Sequence, residues 1–303
     1  MSDMALRGPT ILISGGSRGI GLAIAVAAAR QGANVALLAK TDVPDPRLPG
    51  TVHTAAAEIE AAGGKALPIV GDVRDEESVA GAVARTVDHF GGIDICVNNA
   101  SAIALSATEE LPTKRFDLMM AIQLRGSHLL TRACLPHLRQ ARNPHILSLS
   151  PPLNMNPRWL AFAPAYMVAK YGMSLQTLGW AAEYADAGIA ANCLWPETYI
   201  STAAVQNLLG GDNAVAKSRT PDIVADAALH ILTRPSRDCT GNTFIDADVL
   251  RGAGMNDLSK YGVGDTLAYD IFVDPPAPAS DTEVQGLRDG WTTHSSSPPA
   301  EAP

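Results

Sequence analysis

The sequence predicts a doubly wound α/β fold, with a mainly parallel seven-stranded sheet flanked by helices. Three observations carry that prediction. Short runs rich in Ile, Val and Leu recur without strict alternation, as strands covered on both faces require. Helix-length segments separate them at the spacing of βαβ units. A glycine-rich turn joins the first apolar run to the first helix, as in a Rossmann-like domain.

Residues 10–14 read as the first strand and 19–31 as an Ala-rich helix. Residues 34–39 and 53–62 give the second strand and helix, and 66–70 and 76–90 the third pair. The fourth strand is 93–97. A helical stretch over 114–142 follows, with an interruption expected near Pro136. Residues 145–149, 189–194 and 242–245 complete the sheet, and 164–186 is a helix. Pro44, Pro46 and Pro49 make 41–52 a longer loop than this architecture usually needs. Residues 1–273 are expected to form one domain. Residues 274–303, rich in Pro and Ser, bury too little apolar surface to order easily, although Trp291 could dock on the body.

The 303-residue chain is 47% hydrophobic and 18% charged, which suits a large globular core. Its net charge of −8 argues against nucleic acid or an anionic membrane as partner, because phosphate surfaces need a basic field. Residues 1–9 have no basic-then-apolar leader, and no apolar run reaches the roughly 20 residues of a span. Cys96, Cys134, Cys193 and Cys239 share no metal-ligand spacing and read as buried thiols, so no metal is expected. A cytoplasmic protein is the expectation.

The turn Ser14-Gly15-Gly16-Ser17-Arg18-Gly19-Ile20-Gly21 sits where a pyrophosphate could meet backbone N–H groups at a helix start. Ser14, Gly15, Ser17, Arg18, Gly19, Ile20 and Gly21 are therefore candidate dinucleotide contacts. Lys40 ends the second strand where an acidic residue would favour NAD. With Arg18 it could hold a 2′-phosphate, so NADP (NADPH) is expected over NAD. Either base could instead be simply solvated, and Asp42 and Asp45 weaken the local positive field. Asp72 and Val73 follow the third strand, with Asp72 placed to accept from an adenine amino group. Asn98 and Asn99 follow the fourth, where they could tie loop backbone together or line the cofactor.

Tyr166 and Lys170 are four apart near a helix start, one turn apart on one face. A phenol is a poor base near neutrality, and a neighbouring ammonium would favour its ionised form. Tyr166 could then protonate a carbonyl or deprotonate a hydroxyl.

With Gly15 to Gly21, Asp72, Asn98 to Ala100, Tyr166 and Lys170 in place over about 245 residues, the chain resembles the short-chain dehydrogenase/reductase family. The resemblance implies that Tyr166 is the acid/base and that Lys170 orients the nicotinamide ribose. Ser148 to Asn154, Ala165-Tyr166, Lys170 to Ser174, Leu194-Trp195-Pro196, Pro112 to Arg115 and Asp117 to Met120 are similar to the hydroxysteroid dehydrogenase-like protein 2 group and its bacterial relatives. The sterol-carrier-like domain of the eukaryotic members of that group is not expected here.

Three positions depart from the family pattern. Its carbonyl-polarising Ser matches Pro151, leaving Ser150 or Asn154 as substitutes. Its proton-relay Asn matches Gln123. Its Pro-Gly is Pro196-Glu197, with Thr198 and Thr202 as candidates for the cofactor carboxamide contact. The expected function is interconversion of a hydroxyl and a carbonyl on a small, largely apolar substrate, drawn from 101–111, 153–164 and 197–211 as its walls. A dinucleotide-binding structural or regulatory protein with little turnover is the alternative. A homodimer or homotetramer joined through about 114–140 and 164–186 is implied.

Overall fold

The computed structural model describes residues 6, 8–45, 49–264 and 266–275. Most of the expected Pro/Ser-rich tail, with Trp291, lies outside the described residues. Seven strands form one sheet: β1 (Thr10–Ser14), β2 (Asn34–Ala39), β3 (Lys65–Val70), β4 (Ile95–Asn98), β5 (His145–Leu149), β6 (Ala190–Trp195) and β7 (Thr243–Ile245). Every pairing is parallel, in the order β3-β2-β1-β4-β5-β6-β7. The chain winds outwards through β2 and β3, then returns to place β4 on the other side of β1. The crevice at the C-terminal ends of β1 and β4 is where such sheets bind ligands.

The helices are α1 (Gly19–Arg30), α2 (Val52–Ala61), α3 (Glu76–Phe90), α4 (Thr113–Met119), α5 (Ser127–Leu138), α6 (Pro157–Phe162), α7 (Pro164–Glu183), α8 (Ala203–Leu208), α9 (Gly211–Val215), α10 (Asp222–Leu232) and α11 (Asp246–Gly252). On one face of the sheet, Ile11, Ile13, Leu37 and Leu147 pack with Ile24, Ala25 and Ala28 of α1 and Val224 and Ala228 of α10. The opposite face carries Leu12, Leu38, Cys96 and Ile146 beneath Val79 of α3, Leu130 and Cys134 of α5 and Trp180 of α7. Two buried faces explain why the strands lack strict alternation. Each fully buried Leu or Ile contributes roughly 1.5–3 kcal/mol relative to leaving it in water. A third, aromatic cluster lies at the C-terminal end of the sheet and holds Trp159, Tyr166, Tyr171, Trp195 and Phe272.

Two expectations need correction. The stretch 114–142 is interrupted at Met120–Gly126, a π-helical segment between α4 and α5, and not near Pro136. Pro136 lies in the last turns of α5 on its exposed side, where its ring meets solvent. The five helices α6, α8, α9, α10 and α11 carry no counterpart in the sequence reading. Of these α10 matters most for the core, since Ile223, Val224, Ala227, Ala228, Ile231 and Leu232 are all buried.

Candidate active site

The turn after β1 is shaped by its neighbours. Gly15 and Gly19 take φ of 71° and 57°, a region that disfavours side chains. A Cβ on Gly21 would lie 2.4 Å from Asn99 Nδ2 and 2.7 Å from Gly15 O. Asn99 Nδ2 donates to Ser14 O (3.0 Å) and Gly15 O (2.9 Å), so this side chain ties the β4 loop to the turn. Ser14 Oγ accepts from the backbone N–H of Asn99 (3.1 Å) and Ala100 (3.2 Å). Asn98 Nδ2 donates to Thr131 Oγ1 at 3.0 Å, anchoring β4 to α5. The first turn of α1 carries no side-chain cap from Arg18. Its leading N–H groups and the positive helix end therefore suit a phosphate. Ser17 is buried against Gly50 and Ile20 packs on the core, so both shape the turn.

Arg18 and Lys40 have partners of their own. Arg18 donates from Nε to Pro49 O (2.9 Å) and from Nη2 to Gly50 O (2.7 Å) and Thr41 Oγ1 (3.2 Å), pinning the Pro-rich loop against the turn. Lys40 Nζ lies 3.1 Å from Asp72 Oδ2. Asp72 is also gripped by Arg74 Nε (3.1 and 3.0 Å) and Nη2 (2.6 Å). The Arg74 hydrogen bonds, helped by Lys40, hold this carboxyl well below its usual range despite the opposing effect of burial. Val73 is buried and faces Gly126 of the π segment.

α7 starts at Pro164 and carries Tyr166 and Lys170 on one buried face, each 3% exposed. Lys170 Nζ donates to Leu149 O at 2.8 Å and sits 5.2 Å from the Trp195 ring centroid. Burial lowers its pKa to about 7, against the pull of Asp270. The expectation of a depressed tyrosine is not met in this arrangement. Burial, and then the Asp270 carboxylate, push the Tyr166 phenol above its ordinary value, and only Ser101 draws it down.

Ser101, exposed in the loop after β4, stands near enough to Tyr166 to draw its phenol back down. Its position directly after Asn98-Asn99-Ala100 was the available signal for this hydroxyl. Ser150 is fully buried at the end of β5; its Oγ finds no nitrogen or oxygen partner and faces the Cys193 thiol. Asn154 Nδ2 donates to Phe272 O (3.1 Å) and Asp274 Oδ2 (2.9 Å). Asp270 and Phe272, which face the pair, lie far downstream in a segment without a recognisable motif.

Gln123 lies in the π segment and is wholly buried. Oriented with its amide nitrogen inward, it donates to Ala102 O (2.9 Å) and Met119 O (3.1 Å), binding the helix to the loop beside Ser101. Such bulges recur at functional sites. Glu197 turns away from the pair: it meets Arg219 Nη1 (2.6 Å) and Arg251 Nη1 (2.8 Å), and its N–H donates to Asp246 Oδ1 (2.8 Å). Thr198 is buried and bridges to Tyr269, whereas Thr202 caps α8 with its Cγ2 3.4 Å from the Cβ position of Gly19. Thr202 is thus the threonine beside the glycine turn. A basic, solvent-open cavity of about 450 Å³ lies elsewhere, between Arg74, Lys114, Arg115 and Asp117.

A glycine turn at the switch point, joined by one loop to a Tyr–Lys pair in an apolar cluster, defines a dinucleotide-dependent oxidoreductase. The chain belongs to the short chain dehydrogenase family, which it matches over residues 9–211, and it uses NAD or NADP. It is 54% identical over 285 residues to hydroxysteroid dehydrogenase-like protein 2 of Xenopus tropicalis, covering 93% of this chain and 68% of the frog protein. The crystal structure of a short chain dehydrogenase from Mycobacterium thermoresistibile is 59% identical (TM-score 0.85), over 91% of this chain and 99% of that one. That of a putative dehydrogenase from Xanthomonas campestris is 53% identical (TM-score 0.86), over 89% and 99% respectively. Among the described residues no helix is long and apolar enough to cross a membrane.

Proposed function

We propose that the protein interconverts a hydroxyl and a carbonyl on a small to medium, largely apolar substrate, with NADP(H) as preferred dinucleotide. The observation that carries this is the placement of Tyr166 and Lys170 on one helix face within an aromatic and aliphatic cluster that includes Trp159, Trp195 and Leu153. The name of the frog relative points the same way, towards hydroxyls on steroid-like frames. The bound dinucleotide supplies or accepts the hydride. The α1 N-terminus and the glycine turn would hold its pyrophosphate, and Lys40 and Arg18 its 2′-phosphate.

In reduction Tyr166 Oη gives its proton to the developing alkoxide, and in oxidation it takes one from the alcohol. Lys170, with a pKa near neutrality, supplies a charge that lowers the cost of the phenolate. A hydroxyl must still polarise the substrate oxygen where Pro151 stands. Ser101 is offered by its place beside Tyr166, and Ser150 by its orphaned Oγ. Gln123 positions the loop that carries Ser101.

Exposed Phe116 on α4 and Val168 and Leu175 on α7 support self-association through these helices, which light scattering would test. Four free buried thiols suit a reducing compartment such as the cytoplasm. The central experiment is NADPH oxidation across aliphatic, terpenoid and steroid ketones. Tyr166→Phe is expected to lower kcat by about 10²–10⁴-fold while dinucleotide binding persists. Undiminished turnover in that variant would overturn the mechanism.

A further inference from the structure

The segment that follows Thr266 crosses the mouth of the site and is fastened on both sides of it. On one side Ala268 N donates to Lys217 O (2.9 Å), Tyr199 N to Ala268 O (2.9 Å) and Asp270 N to Glu197 O (3.0 Å). Trp195 Nε1 donates to Ile271 O at 2.9 Å at the centre. On the other side Asp274 receives Asn154 Nδ2 (2.9 Å), Trp159 Nε1 (2.9 Å) and the Arg158 guanidinium. Between the fastenings, the Phe272 ring lies 6.2 Å from that of Tyr166 with planes 15° apart, and 5.1 Å from Tyr171. Trp195 and Trp159 close around the same ring at 6.1 and 6.2 Å.

Phe272 also has a φ of 71°, the only positive value at a non-glycine among the described residues. A bulky residue there is disfavoured and persists only when its surroundings over-determine it. Here those surroundings are the aromatic cage and the two fastenings. The strain is held by contacts that substrate would have to displace, because the catalytic phenol beneath the ring is only 3% exposed.

We propose that residues 268–274 form a strap that gates Tyr166, with Phe272 as the plug seated on the phenol and Asp274 as the latch that releases it. The proposal rests on the oxidoreductase reading for its purpose, but its geometry can be tested without turnover. Lifting the strap uncovers the phenol. Burial is the first cause that raises the Tyr166 pKa, so a lifted strap leaves a more readily ionised phenol. The gate therefore couples access to activation.

The test uses the full chain. Amide hydrogen exchange is followed over 268–274, and nitration of Tyr166 by tetranitromethane is located by tandem mass spectrometry. Asp274→Ala is expected to raise both by about tenfold, with exchange in the central strands unchanged. Asp274→Asn, which keeps one oxygen acceptor, should fall between it and the parent. Phe272→Gly relieves the left-handed backbone and removes the plug. It should raise Tyr166 nitration even if Asp274→Ala does not fold. Faster strap exchange with unchanged Tyr166 nitration, or no change in either variant, would overturn the gate. A gain in nitration without turnover of any ketone would uphold the gate and count against the oxidoreductase reading. Ketone turnover with nitration insensitive to both substitutions would do the reverse.

Discussion

The Lys40 ammonium lies 3.1 Å from the Asp72 carboxylate, linking the residues that follow β2 and β3. Lys40 is 62% exposed and Asp72 already has Arg74, so this ion pair contributes little and the lysine can turn to another anion. Lys40→Ala is expected to raise the KM for NADPH by about tenfold, the loss of one charge contact, and to leave that for NADH unchanged. Steady-state kinetics with both dinucleotides checks it; equal effects on the two would remove the basis for the NADP preference.

The two candidate donors can be separated by deletion. Ser101→Ala removes the hydroxyl beside Tyr166, and kcat should fall by about 10²–10³-fold if it polarises the substrate oxygen. Ser150→Ala should cost less than about tenfold, because that hydroxyl faces Cys193 within the protein. The opposite ranking in parallel kinetic assays would assign the role to Ser150.

Gly21 is the tightest point of the dinucleotide turn. In Gly21→Ala the new Cβ meets Asn99 Nδ2 at 2.4 Å, and Asn99 holds both Ser14 and Gly15. Relief of that clash is expected to cost about 1–3 kcal/mol of stability in urea unfolding and to weaken dinucleotide binding. A variant with parental stability and affinity would show that the Asn99 clamp is dispensable.

Much of this was legible in the chain. Seven strands could be read because each is a short apolar run, and the glycine turn and Tyr–Lys pair have local spacing that survives in one dimension. The gaps have physical causes. Asn98 and Asn99 have two roles open in the sequence, and the loop-tying one becomes visible only through the bonds to Thr131, Ser14 and Gly15. The break at Met120 carries no Pro, and its one glycine, Gly126, stands at its end; it comes with the contacts of Gln123 to Ala102 and Met119, which no local signal displays. Proline drew attention to residue 136 instead, where solvent accommodates the ring. Phe272 and Asp270 reach the site through tertiary packing alone.

Asp246 offers a pH test of the ion cluster under Glu197. Burial raises its carboxyl to about 7, although the N–H groups of Glu197 and Ala247 donate to Oδ1. In the unfolded chain it titrates near 4. Between about pH 4 and 7 the unfolded chain has released this proton while the folded chain keeps it. The parent therefore loses stability as pH rises through that window, with no further change above it. Asp246→Asn has no such proton, so from pH 5 to 8 the difference in stability should move in its favour by on the order of 1–3 kcal/mol. Urea unfolding at the two pH values measures this, and identical pH profiles would contradict it.

The π-helical segment Met120–Gly126 gives the molecule an unusual sensitivity to length. A wide turn accommodates one residue more than regular α-helix would, and each helical residue advances the direction of side chains by about 100°. Deleting one residue here would let the backbone close into an unbroken helix, which local energetics favour. The wide turn absorbs the extra residue, so α4 and α5 would keep their faces and the cost would fall on Gln123, whose bonds to Ala102 O and Met119 O depend on this turn. Point substitutions in this stretch that spare Gln123 are therefore expected to be milder than a single-residue deletion.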